Sequence, residues 1–289
     1  MVKNDNKNWP EYNERLVKRG WFYLDLDFVE DWDKELKVMN KRKNGRPFKY
    51  PQTFIQFCAL IYTFMHLPYR QLEGYLHALS GFVPGLRSAD YTTLWERIRK
   101  EDMNIPLPDN DIVVAVDSTG IKVTNRGDWI RKKHVTKRRG WIKVHLAVDT
   151  ETRKPVAFEI TDEKTGDHEM VEPLLKDIEI EDALMDGAYD KKSVFEYLKK
   201  KGVSKPGVKT RKNAVANDDS DRSESVLEMK KLGYNSWKKI HGYGRRWAVE
   251  SVFSAIKRIF GESVRATSPE GMIKEAARMV SSYSILLCL

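Results

Sequence analysis

Cysteine is scarce: Cys58 and Cys288 are the two in 289 residues, and each sits inside an apolar run. Without metal-ligand spacing they exclude a cysteine metal site and read as small core residues, which implies a reducing compartment. His134, His145, His168 and His241 show no pair at ligand spacing with a third nearby, so a histidine metal site is excluded too. His168, after Gly166-Asp167, reads as an ordinary helix-start residue. Long hydrophobic runs are also missing. The longest, Phe54 to Leu67, covers 14 residues, carries Gln56 and is too short to span a bilayer. Residues 1–20 are polar and charged, with no apolar stretch of an export signal, and no internal repeat is found. A soluble, cytoplasmic protein without a membrane partner is expected.

What is present is charge. Apolar residues make up 41% and aromatics 11%, a globular composition. The length allows one large domain or two modest ones. The 51 basic residues exceed the 42 acidic ones, for a formal +9. Such a surplus fits a polyanionic partner such as nucleic acid, or a solvated basic surface with no partner. It is concentrated in residues 121–143, where nine Lys or Arg face one Asp. Arg131-Lys132-Lys133 and Lys137-Arg138-Arg139 lie there, flanked by Trp129 and Trp141. This segment reads as a basic hairpin or loop reaching along DNA, or else as a solvated charge run.

Along the chain, residues 1–50 are charged and mixed, ending in Lys41-Arg42-Lys43-Asn44-Gly45-Arg46-Pro47, which reads as a basic linker. Phe54, Phe57, Cys58, Ile61 and Phe64 recur at three- and four-residue steps, a helix with one buried face that Pro68 ends. A second helix fits Tyr69 to Leu79. Asp90 caps a third, with Leu94, Trp95 and Ile98 inward and Arg97, Arg99 and Lys100 outward. Three short helices, the last one basic, fit a helix-turn-helix-like DNA-binding unit or an ordinary helical subdomain. Residues 1–105 are therefore expected to form an N-terminal helical region and 106–289 a second domain. In the second, strands are expected at 112–117, 141–148, 156–160, 183–185 and near Val208, with helices at 170–178, 193–201, 243–260 and 269–287. Residues 213–225, rich in Asn, Asp and Ser, read as a flexible loop. The order is an α/β layout with a mixed sheet whose first three strands include an antiparallel part.

Asp117 ends the first expected strand and Asp186 the fourth. Neighbouring strands bring such ends together, and two carboxylates are what Mg²⁺ takes before filling its shell with water and phosphate. A lone Asp at a strand end is more often a turn residue. The helix near 243–260 adds a third acid. With Tyr243 set to zero and about 100° per residue, Glu250, Lys257 and Arg246 fall at roughly −20°, −40° and −60°. This polar stripe borders the apolar arc of Val249, Val252, Phe253, Ile256, Ile259 and Phe260. An acid flanked by cations there either holds a metal beside phosphates or makes a surface i, i+4 pair with Arg246. Asp149 and Asp190, near the acids, read as turn or supporting groups.

At these residues the chain resembles the DDE transposases of bacterial and archaeal insertion sequences, in the group marked by Y-x2-R-x3-E-x6-K. Tyr243, Arg246, Glu250 and Lys257 match all four positions, and Val116-Asp117-Ser118-Thr119-Gly120 and Met185-Asp186-Gly187-Ala188-Tyr189-Asp190 resemble the first and second acid segments. Tyr69-Arg70-Gln71-Leu72-Glu73-Gly74 also looks like this family. Met185 and Gly187-Ala188 depart slightly from its second motif. The resemblance implies a ribonuclease-H-like mixed sheet flanked by helices, preceded by the helical DNA-binding region. It implies that Asp117, Asp186 and Glu250 hold two Mg²⁺ ions, with Mn²⁺ substituting, to cleave element ends and transfer strands to target DNA. Arg246 and Lys257 would meet phosphates and Tyr243 the terminal nucleotides. A homodimer on double-stranded DNA, associated with the nucleoid, is the implied working form. A metal-dependent nuclease of the same fold and a domesticated DNA-binding factor without catalysis are the rival readings.

Overall fold

The computed structural model describes residues 8–101, 105, 107–108, 110–123, 140–203 and 205–288. The basic clusters Arg131-Lys132-Lys133 and Lys137-Arg138-Arg139 lie outside them. The chain divides into two compact units, one drawn from residues 1–103 with 285–289 and the other from 104–284. No helix among the described residues is long and apolar enough to cross a membrane.

The first unit contains α1 (Trp9–Phe22), α2 (Trp32–Met39), α3 (Gln52–Phe64), α4 (Tyr69–Ser80) and α5 (Tyr91–Lys100). Its core joins Trp32, Phe54, Phe57, Cys58, Ile61, Leu72, Leu76, Leu94 and Ile98. The expectation for residues 1–50 needs correction. Trp32 on α2 is 3% exposed, and Glu35 one turn later caps α3 by accepting from Gln52 N at 2.6 Å and Thr53 N at 3.1 Å. The expected basic linker is a turn closed inside the unit, because the Asn40 amide holds both backbone groups of Phe48, at 3.0 and 2.7 Å. Charge composition hid both features, since helix caps and turn clamps use the same polar residues as linkers.

Asp90 caps α5 through Thr92 N and Thr93 N as expected. Trp95 does not point inward: it is 47% exposed, with the Arg99 guanidinium 4.7 Å over its ring. A ten-residue helix needs only the i, i+4 pair Leu94 and Ile98 for its buried stripe. Arg97, expected outward, turns back to donate to Gln52 Oε1 at 2.7 Å.

The second unit is built on a six-stranded sheet of order β3-β2-β1-β4-β5, with β6 pairing β1. The strands are β1 (Ile112–Val123), β2 (Trp141–Asp149), β3 (Pro155–Asp162), β4 (Ile180–Met185), β5 (Gly207–Val208) and β6 (Ser263–Val264). β2 runs antiparallel to both β1 and β3, while β4 and β6 run parallel to β1 and β5 parallel to β4. The mixed sheet with an antiparallel part is the one expected. Central β1 is buried from Val113 to Val116, the near-continuous apolar run of a strand covered on both faces.

Val114 and Val116 face a core completed by α6 (Val171–Leu175) and α7 (Lys192–Lys200). The alternate residues of β1 face α10 (Trp247–Phe260) and α11 (Pro269–Cys288). Thr119 and Ile121 line a small gap there with Phe253, Ile256, Met279 and Val280. The flexible loop expected at 213–225 is corrected at its second half, where Asp221 starts α8 (Asp221–Leu232). Ser220 caps α8 through Ser223 N, and Asp218 accepts from the hydroxyls of Ser220 and Ser223 at 2.5 and 2.6 Å. Ser and Asp are loop formers in composition but cap formers in position. A short α9 (Tyr234–Ile240) and β6 also went unpredicted. Cys288 is exposed, unlike the core residue expected, whereas Cys58 is buried.

Candidate active site

Register and helix rotation together build the site. Val116 on β1 pairs with Met185 on β4, so the next residue of each parallel strand, Asp117 and Asp186, emerges side by side. Asp117 accepts from Ser118 N at 2.8 Å, and Asp186 accepts from Ala188 N at 2.8 Å as the cap of the 3₁₀ turn Gly187–Tyr189.

Glu250 lies on α10. Val249, Val252, Phe253, Ile256 and Phe260 bury one face of that helix, which turns its polar stripe along β1. Arg246 donates from Nη1 to Asp117 Oδ2 at 2.9 Å and from Nη2 to Glu250 Oε1, so one guanidinium joins two of the acids. Lys257, two turns after Glu250, donates to Thr119 Oγ1 at 2.7 Å. The cleft between β1 and α10 is an open space of about 540 Å³ lined by Asp117, Ser118, Thr119, Glu250, Lys257 and Arg258, among others.

The four positions of the helix signature thus differ in setting. Tyr243 precedes α10 in the 3₁₀ turn Tyr243–Arg246, following Gly242 at φ 56°. Its ring is 7% exposed and lies 5.1 Å from Trp237, with the Arg246 guanidinium 5.8 Å above it. Burial pushes its hydroxyl up to about 12, against the opposing pull of Arg246. Tyr243 therefore supports Arg246 from below and offers no free ring face.

Electrostatics mark the same place. Asp117 is held above the usual carboxylate range, first by burial and further by the neighbouring Asp186, with its bonds to Ser118 N and Arg246 acting against the rise. A carboxyl with a raised pKa in the folded state binds its proton more readily there, so ionising it as pH rises through that window costs stability. Asp117→Asn is accordingly expected to raise the melting temperature of the metal-free protein at neutral pH. The gain should fade below about pH 3, where the carboxyl is neutral folded and unfolded alike. Calorimetry across pH measures this; a lower melting temperature at neutral pH would contradict it.

The donors suit a hard divalent cation, being carboxylate oxygens with room for water and phosphate. Among the described residues no three His, Cys, Asp or Glu side chains converge tightly enough to enclose an ion as they stand. The positive charge of Arg246 occupies the ground between Asp117 and Glu250.

Several neighbours escaped the sequence reading. Asp167, read only as part of a helix start, accepts from Ser118 Oγ at 2.9 Å and Lys143 Nζ at 3.1 Å. Buried His145 and Tyr189 lie nearby: His145 Nδ1 is 3.7 Å from Asp167 Oδ1, and the Tyr189 hydroxyl is raised by burial and by Asp117, Asp167 and Asp186. Among the described residues the Tyr189 hydroxyl has no hydrogen-bond partner, so a buried polar group sits beside the acids. No spacing rule joins positions so far apart; only the strand register does.

A cryo-EM structure of a piggyBac transposase synaptic complex with hairpin DNA is a distant likeness, with 9% identity, a TM-score of 0.42 and coverage of 94% of this chain and 74% of that one. Family models described as Transposase DDE domain match residues 108–285 and, for a second such model, residues 17–126. The first match alone spans more than half of the sequence and contains all three acids. The chain belongs to the DDE transposases: it is a DNA transposase, an enzyme that cleaves and transfers DNA strands with the help of divalent metal.

Proposed function

We propose that Asp117, Asp186 and Glu250 are the metal ligands of this transposase and that they hold two Mg²⁺ ions, with Mn²⁺ able to substitute. When bound, such a pair activates the attacking water or 3′-hydroxyl and stabilises the leaving oxygen of an in-line displacement. The observation that carries this reading is the single guanidinium shared by Asp117 and Glu250 beside Asp186: the site is built around concentrated positive charge.

The chain's own residues supply position. Arg246 neutralises the acids in the free protein and passes to a phosphate of the DNA end when metal takes its place. Lys257, on the cleft wall, holds the next phosphate. Tyr243 keeps Arg246 aimed. Arg131, Lys132, Lys133, Lys137, Arg138 and Arg139 grip double-stranded DNA outside the cleft, and the helical region 1–105 adds contacts to the element end. A homodimer brings two ends together before transfer to target DNA.

The test uses the purified chain, labelled end DNA and a target plasmid in Mg²⁺. Nicked ends and joined product are both expected, with chelator abolishing them and Mn²⁺ restoring them. Nicks with no joined product would favour a nuclease instead. Arg246→Ala separates the two roles of that residue. Metal binding to the free protein, followed by calorimetry, should tighten, while single-turnover cleavage should fall by roughly 10²-fold or more. Unchanged metal binding would remove the first role.

A further inference from the structure

Asp186 ends β4 and projects from a short turn, so its aim depends on whatever holds that turn. The turn closes at Asp190, whose carboxylate is fully buried. Arg222, on the first turn of α8, donates to it through both Nε, at 2.6 Å, and Nη2, at 3.0 Å. Arg211 N donates to the same carboxylate at 3.0 Å, and the Arg211 side chain turns back so that Nε donates to Gly187 O at 2.9 Å. The residue directly after Asp186 and the residue four beyond it are thus gripped by one segment, 211–222, that is not part of the sheet.

A buried ion pair is a poor stabiliser compared with apolar side chains of the same volume, yet removing one partner is costly. Its benefit is geometric: a two-point fork fixes direction as well as distance. Lys199, on α7, offers a contrast: it pairs at 2.7 Å with Asp221, the neighbour of Arg222 on α8, and is largely exposed.

We infer that Asp190, Arg222 and Arg211 are positioning residues for Asp186, and that the segment between β5 and α9 sets the aim of the second acid. This rests on Asp186 being a metal ligand. Replacing the groups that orient a ligand costs roughly 10- to 100-fold in metal affinity.

The experiment measures Mn²⁺ binding to the full-length protein by calorimetry and the Mn²⁺ concentration giving half-maximal nicking of end DNA. Arg222→Lys keeps the charge and loses the fork. It is expected to raise both values at least roughly tenfold, with circular dichroism unchanged, and Asp190→Asn should behave likewise. Lys199→Ala should leave both values at wild type. Arg211→Ala, which removes only the exposed bond to Gly187 O, serves if the buried variants do not fold, and a smaller rise in the same direction is expected. A folded Arg222→Lys or Arg211→Ala with wild-type Mn²⁺ binding and nicking, beside an Asp186→Ala that has lost both, would overturn the positioning role alone. Wild-type Mn²⁺ binding that survives Asp186→Ala would overturn the ligand assignment and this inference together.

Discussion

Asp117→Ala is expected to lower cleavage of end DNA by a factor on the order of 10³ or more while leaving DNA affinity within a few-fold of wild type. Asp117 lies on the central strand of the sheet, next to Asp186 by strand register, and Arg246 joins it to Glu250. Asp186→Ala and Glu250→Ala should match it, because ligands that act as a unit fail as a unit, and combining two of these changes should add little further loss. Single-turnover nicking in Mg²⁺ measures the first quantity and a gel-shift titration the second. A purified Asp117→Ala protein that nicks at a rate near wild type would show that the chemistry lies elsewhere. Loss of DNA binding in step with cleavage would make the acid structural.

The second large effect concerns affinity. Neutralising Arg131, Lys132, Lys133, Lys137, Arg138 and Arg139 together should flatten the dependence of log affinity on log salt by roughly 5, from about 0.9 per phosphate contact. At low salt the loss should reach several orders of magnitude, and at high salt the variant and wild type should converge, because the released counterions are what the salt competes with. Titrations at a series of salt concentrations read the slope directly. An unchanged slope would leave this stretch as solvated charge and move the DNA footprint to Arg246, Lys257 and Arg258 in the cleft.

The sheet was readable in the sequence because its strands carry a physical signature. Ile112 to Val116 is apolar without a break, as a strand buried on both faces must be. The helix of Glu250 was readable for the matching reason: Val249, Val252, Phe253, Ile256 and Phe260 fix which side is buried, and so where Arg246, Glu250 and Lys257 go. Tyr243 lay on the same stripe by arithmetic, but a 3₁₀ turn of different pitch carries it, and its ring is buried under Arg246. Asp90 was legible as a cap because a helical stripe follows it, but caps and clamps contributed from elsewhere in the chain, or set in polar runs, were not. Glu35 capping α3, Ser220 and Asp218 starting α8, and Asn40 clamping Phe48 all use polar residues that composition assigns to loops. Asp167 and Arg222 join the site across tens of residues, and no local pattern announces them.

The most direct measurement is anomalous diffraction from crystals of the full-length protein bound to end DNA and soaked in Mn²⁺. Anomalous density beside Asp117, Asp186 and Glu250 is predicted, with Arg246 withdrawn to a phosphate. Peaks remote from these carboxylates, or an Arg246 still seated between Asp117 and Glu250 beside a cleaved end, would contradict the assignment.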